Sequence, residues 1–322
     1  MMKKTSLNLL VLLVLFSSHD MYFKLGTYTL PPNTPARIQL FNGTFEKSEN
    51  TIDRNRMIDV SLVGGGDRMA VDTTQWSEEG EVTVLNFTTG SPGTWVAGLS
   101  TYARNIELAA TDFNDYLEHD GVLDMLVWRK ENGALEQDAV EKYAKNVKTI
   151  FQVGDKLSDD WQTVLGYPIE FVPLSNPYDL HQGHNMQVQL LWQGEPLAGQ
   201  LVYVGSEGEV HDHGDGEAHS HSNLSEYRTD DRGIVSFSIA QEGIWYLRTI
   251  YMTLSEAEGL THESNWATLT FEVGEGHSHS HGAEEAHDHE DEDPLGLPSY
   301  VYWMGSLVLL LGLFFWFNRK QS

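Results

Sequence analysis

Apolar and polar residues alternate along the first hundred residues in short runs. The runs at 22–29, 36–41, 58–63, 81–87, 94–99 and 105–108 predict strands. Pro31-Pro32-Asn33, Gly64-Gly65-Gly66 and Gly90-Ser91-Pro92-Gly93 punctuate them as turns. The period then changes. Thr111 is placed to cap a helix over 111–118, and a second helix over 122–131 has Leu123, Leu126 and Val127 on one side. Beyond Gly133, the spacing of Val140, Tyr143, Ala144 and Val147 predicts a third helix over 136–148. Strand patterns resume at 169–172, 185–192, 199–204, 225–229, 234–239, 243–252 and 265–273. These patterns predict a mainly β protein of two β-sandwich-like domains, 19–151 and 152–274, with a short helical insert at 111–148 in the first.

The chain ends read differently. Lys3 and Lys4 precede the apolar stretch Leu7 to Phe16 and the small residues Ser17 and Ser18, the pattern of a secretory signal over 1–18. Residues 300–317 carry no charge and, at about 1.5 Å each, span roughly 27 Å as a helix. Tyr300, Tyr302 and Trp303 at one end and Trp316 at the other form an aromatic belt, and Arg319 and Lys320 follow. A transmembrane helix over 297–318 with a cytoplasmic tail at 319–322 is expected. The protein would then be single-pass in the inner or plasma membrane, with its bulk periplasmic or otherwise extracytoplasmic.

Between these ends lie two histidine-rich stretches. The first is a loop over 207–224, inserted between two predicted strands, with His211, His213, His219 and His221. The second is an acidic tether over 275–296, with His277, His279, His281, His287 and His289. Nine of the fourteen histidines are concentrated there, interleaved with Asp212, Asp215, Glu217, Asp288 and Glu290. Clustered neutral imidazoles and carboxylates suit nickel, cobalt and zinc, and the affinity order among divalent ions admits copper. A net charge of −27 attracts cations and excludes a nucleic-acid partner, while the absence of cysteine excludes thiolate sites. Cleavage after Ser18 would expose His19, whose α-amino group and imidazole form a bidentate chelate. His181 and His184, three residues apart before a strand, could complete a site but fit ordinary surface residues better. His119 and His262 suit surface or packing roles. The chain has no nucleophile elbow, P-loop or zincin motif, so enzymatic activity is not expected.

Several segments resemble one family in order. His19-Asp20-Met21-Tyr22-Phe23 resembles the "HEFW/HDFW" start of DUF4198 proteins. Phe113-Asn-Asp-Tyr-Leu117 with Gly121-Val-Leu-Asp124, and then Glu141-Lys-Tyr-Ala-Lys145, resemble its central block. Leu165 to Leu174 (LGYPIEFVPL) with Asn176-Pro-Tyr-Asp-Leu180 resembles "LGxPLELVPLxxPYxL". Gly194 to Gly199, Thr229 to Gly233 and Trp266 to Phe271 complete the series. The resemblance implies a sandwich-like domain followed by a transthyretin- or carboxypeptidase-regulatory-like one. It also implies an exported accessory protein of nickel or cobalt import. The histidine runs and the anchor depart from the plain family pattern.

The function expected is capture of divalent transition metal, nickel or cobalt with zinc also accommodated, for delivery to a membrane uptake transporter. Two alternatives stand beside it: a copper-dependent oxidase or monooxygenase built on His19, and a pH-sensing or adhesive surface protein.

Overall fold

The computed structural model describes residues 20–207 and 224–274. The first half contains β1 Asp20–Lys24, β2 Thr29–Leu30, β3 Pro35–Gly43, β4 Met57–Gly64, β5 Asp67–Ala70, β6 Trp76–Glu79, β7 Val82–Thr88, β8 Gly93–Thr101 and β9 Arg104–Leu108. Helices α1 Ala110–His119 and α2 Leu123–Glu131 follow. The remainder contains β10 Ala139–Val153, β11 Ile169–Pro173, β12 Asn185–Trp192, β13 Glu195–Pro196, β14 Leu201–Ser206, β15 Ser225–Arg228, β16 Ile234–Ser238, β17 Gly243–Leu254 and β18 His262–Val273.

The protein is mainly β, with three sheets. One has the order β1-β3-β7-β6, and a second joins β11, β12, β13 and β16. The largest runs β15-β14-β17-β18-β10-β8-β4-β5, with β2 and β9 also pairing to β10. Its strands come from both sides of residue 151, which itself lies inside β10. β10 is parallel to β18 and to β2 and antiparallel to β8 and β9. One apolar core joins all three sheets, through Ile38 and Leu85 on the first, Val96, Ile150 and Leu269 on the largest, and Phe171, Val188 and Phe237 on the third. Ile38 stands on the inward row of a period-two strand, whereas Val96 and Phe171 lie on strands buried at every position.

The helical insert covers part of the large sheet. Phe113, Tyr116 and Leu117 recur at helical spacing in α1 and bury against Ala139, Ile250 and Trp266, with Val122 and Met125 beside them. Thr111 is not its cap. Ala109 takes that position without a side-chain bond, and Asp138 instead accepts from the Ala110 N–H at 2.9 Å.

The third expected helix is a strand. Residues 136–148 fall largely in β10, in which Glu141, Lys145 and Lys148 are buried. Charged side chains on buried strand positions conceal the period of two, leaving the apolar residues to mimic a helical stripe. Pairing with β18 and β9 overrides that local pattern, because each pairing satisfies backbone groups that a buried segment must not leave open. The signal, tether, anchor and tail over 1–18, 275–296, 297–318 and 319–322 lie outside the described residues. Among those described, no helix is long and apolar enough to cross a membrane.

Candidate functional site

All ten expected metal ligands lie outside the described residues: His19, His211, His213, His219, His221, His277, His279, His281, His287 and His289. The described residues that flank them are well placed. The 208–223 segment joins β14 to β15, which pair antiparallel with Val204 opposite Ser225. At its start, the Glu207 N–H donates to Ile244 O at 2.8 Å, and Lys24 Nζ reaches Glu207 Oε1 at 3.1 Å. At its end, Leu224 packs on the aromatic group of Tyr22, Phe45 and Tyr246, in which Phe45 and Tyr246 stack at 3.9 Å. Gly205 makes that closure possible, since a Cβ there would stand 2.4 Å from Leu224 and 2.7 Å from the Tyr246 ring.

Gly274, the last described residue, lies at the same end of the strands. β17 lies between β14 and β18, with Gly243 opposite Val273 and Ile244 opposite Glu272. Glu207 and Glu272 therefore share a row across the sheet, about 10 Å apart at the usual interstrand spacing. Gln241 ties the edge together by donating through Nε2 to Ser206 Oγ at 2.9 Å and Glu207 O at 3.2 Å. Gly274 packs against Glu242, whose side chain a Cβ would meet at 2.5 Å.

A second polar group surrounds the first described residue. Asp20 is buried, with its Oδ2 at 2.8 Å from Arg248 Nε and accepting from Tyr22 OH at 3.0 Å. Arg248 Nη2 donates to Asp120 O at 2.9 Å, fixing the α1–α2 turn to β17. Burial pushes the Asp120 carboxyl up, against the pull of His119 and Arg248. His119, exposed at the end of α1, has its pKa raised chiefly by its hydrogen bond to Asp120. Nearby, Glu141 accepts from Tyr116 OH at 3.2 Å and from Ser264 Oγ, and burial pushes it up to about 7. Burial lowers Lys145 to about 8, and its ammonium lies 4.9 Å over the Trp266 ring. The one available signal was a set of charged residues within otherwise strand-like stretches.

The other histidines divide clearly. His262 is buried against Phe113 at 4.7 Å between ring centres, with Nδ1 at 2.7 Å from Thr261 Oγ1, and so is a packing residue. His181 and His184 are exposed on one turn, with ring centres 5.7 Å apart. Among the described residues, no group of three histidine or carboxylate side chains is placed to hold a metal. A cavity of about 500 Å³ opens beside Asp59, Arg68, Lys142, Tyr167 and Glu263. Its acidic and basic groups are already paired: Arg68 with Asp59 at 2.9 Å and Lys142 with Glu263 at 3.9 Å.

A strand-rich body with these local signatures belongs to a defined class of domain. The family model described as "Domain of unknown function (DUF4198)" matches residues 16–253, and the chain belongs to that family. No curated protein matches the chain. Among solved structures, the D0–D1 domain of intimin is 12% identical over 78% of this chain and 97% of its own, with a TM-score of 0.19. Escherichia coli alpha-2-macroglobulin activated by porcine elastase is 10% identical, with 78% of this chain covered and a TM-score of 0.21. The chain spans 20% of that macroglobulin's length. A DUF4785 family protein from Legionella pneumophila is 9% identical over 70% of this chain and 50% of its own, with a TM-score of 0.21. Likenesses at such scores carry no argument, and the fold description rests on the strand pairing itself.

Proposed function

We propose that this is a membrane-anchored, extracytoplasmic protein that captures divalent transition-metal ions and supplies them to an uptake transporter. Nickel and cobalt are the first choices, with zinc accommodated by the same donors. The ligands would be His19 and the nine histidines of the two runs. The observation that carries the reading is the common origin of those runs, whose roots at Glu207 and Gly274 lie at strand ends on either side of β17. Two imidazole-rich segments tethered about 10 Å apart at their roots raise each other's effective concentration around an ion. Imidazole and carboxylate donors without thiolate favour exchange over permanent retention, which suits delivery. The transporter partner and the anchor at 297–318 belong to the same proposal.

The test is a nickel titration of the full chain and of a variant with all ten of these histidines changed to asparagine. The variant should lose most of the bound equivalents. Equal stoichiometry in the two proteins would sink the proposal. Variants altered in one run alone report whether the runs act jointly: a shared site loses affinity in both, whereas separate sites lose equivalents independently.

A further inference from the structure

We infer that His181 and His184 form a two-imidazole site for a divalent transition-metal ion, on a turn tied to Ala240 close in sequence to Gln241 and Glu242, which contact the residues at the roots of the two histidine runs. The inference deepens the metal-capture proposal and rests on it for its physiological ion, but its geometry comes from described residues alone. The two side chains stand on one turn that is held on several sides. The His184 N–H donates to His181 O at 3.0 Å, closing the turn. The Gly183 N–H donates to Ile239 O at 2.8 Å, and the Ile239 N–H to His184 O at 2.8 Å. Gln182 Nε2 donates to Ala240 O at 2.8 Å. Gly183 has φ +89°, which few other residues adopt without strain, so the spacing of the histidines depends on it.

The ring geometry suits a shared ion. Two imidazoles bound at about 2.0–2.1 Å place their ring centres roughly 4.5–6.3 Å apart, depending on the angle at the metal. The observed 5.7 Å falls in that interval, with the ring planes inclined at 59°. The His181 N–H lies 3.4 Å from His184 Nδ1, a long contact that an ion displaces at little cost. Both residues are exposed, so water or another ligand can occupy the remaining coordination positions.

The location gives the site a purpose. Ala240, held by Gln182, is followed by Gln241, which bonds Glu207, and by Glu242, which packs on Gly274. The turn is thus linked, through three consecutive residues, to the roots of both runs. A rigid pair of imidazoles with open positions there would exchange ions with more strongly binding segments on either side.

The experiment uses the full chain carrying asparagine at the ten proposed run and N-terminal positions, titrated with Ni²⁺ alone. One equivalent should remain, and adding His181→Asn with His184→Asn should abolish it, with His119 and His262 still present as controls. Gly183→Ala, which leaves both imidazoles in place, should weaken that equivalent by roughly tenfold, the scale found for displaced supporting groups. No nickel bound to the ten-asparagine chain, or binding that survives the His181/His184 change, would overturn the inference. These outcomes are separate from failure of the capture proposal, which is read by comparing that chain with the wild type.

Discussion

Glu141 and His262 give the described body opposite responses to pH. Burial raises the Glu141 carboxyl from 4.5 to about 7. A folded-state pKa above the unfolded value means stability fully present below about pH 4.5 and lost as pH rises through 7. The loss is on the order of 3 kcal/mol, since each tenfold change in proton affinity is worth about 1.4 kcal/mol. Glu141→Gln keeps an acceptor for Ser264 and Tyr116 and removes the titration. Its stability relative to wild type should therefore rise between pH 5 and pH 8 in chemical denaturation; parallel pH profiles for the two proteins would refute the assignment. His262 responds on the acid side. Burial lowers it from 6.5 to about 4, with the Arg129 guanidinium adding to the effect. Its depressed pKa contributes stability above pH 6.5 that declines as pH falls toward 4. Of the surface or packing roles expected for His262, its burial against Phe113 selects packing. The burial of Glu141 was hidden, since nothing in a run of alternating charges says which of them faces inward.

At the scale of elements, strands and helices with clean patterns were legible. The run expected at 185–192 is β12 itself, and α1 and α2 fall within a residue of their expected limits. Short strands without such patterns were not. β2, β5, β6 and β13 exist because a neighbouring strand offers partners for their backbones, as β4 does for the exposed β5. β10 was the largest departure, because its buried charges mask the strand period. Buried charges also connect elements. The Asp20–Arg248 pair ties β1 to β17, whereas the Arg228–Asp124 pair at 2.7 Å tethers β15 to α2 on the surface. Asp20→Ala strands a buried guanidinium and should cost about 3–5 kcal/mol. Asp124→Ala should cost less than about 1 kcal/mol, as exposed pairs do. Similar unfolding midpoints for the two variants would contradict this ranking.

At the scale of the whole molecule, the large sheet is the common frame. It brings β14, β17 and β18 together and so sets Glu207 and Glu272, near the roots of the two histidine runs, on one row of the sheet. β14 and β15 are already paired in register up to Val204 and Ser225, so a short hairpin turn can replace 208–223. That replacement should leave the metal-free unfolding temperature within a few degrees of wild type, while the nickel equivalents of the first run disappear; a collapse of the fold would show that 208–223 stabilises the body. The sequence by itself determined the mainly β class, most strand positions, the family signatures and the residue types able to bind metal. These follow from local period, turn chemistry and composition, which act over a few residues. Tertiary structure alone decided that β10 is a strand, that Asp20 meets Arg248, and that the turn of His181 and His184 is held by Ala240, whose successors Gln241 and Glu242 contact Glu207 and Gly274. Each depends on strands distant in the chain meeting in one sheet, where the pairing of backbone groups and the burial of charge outweigh any local preference.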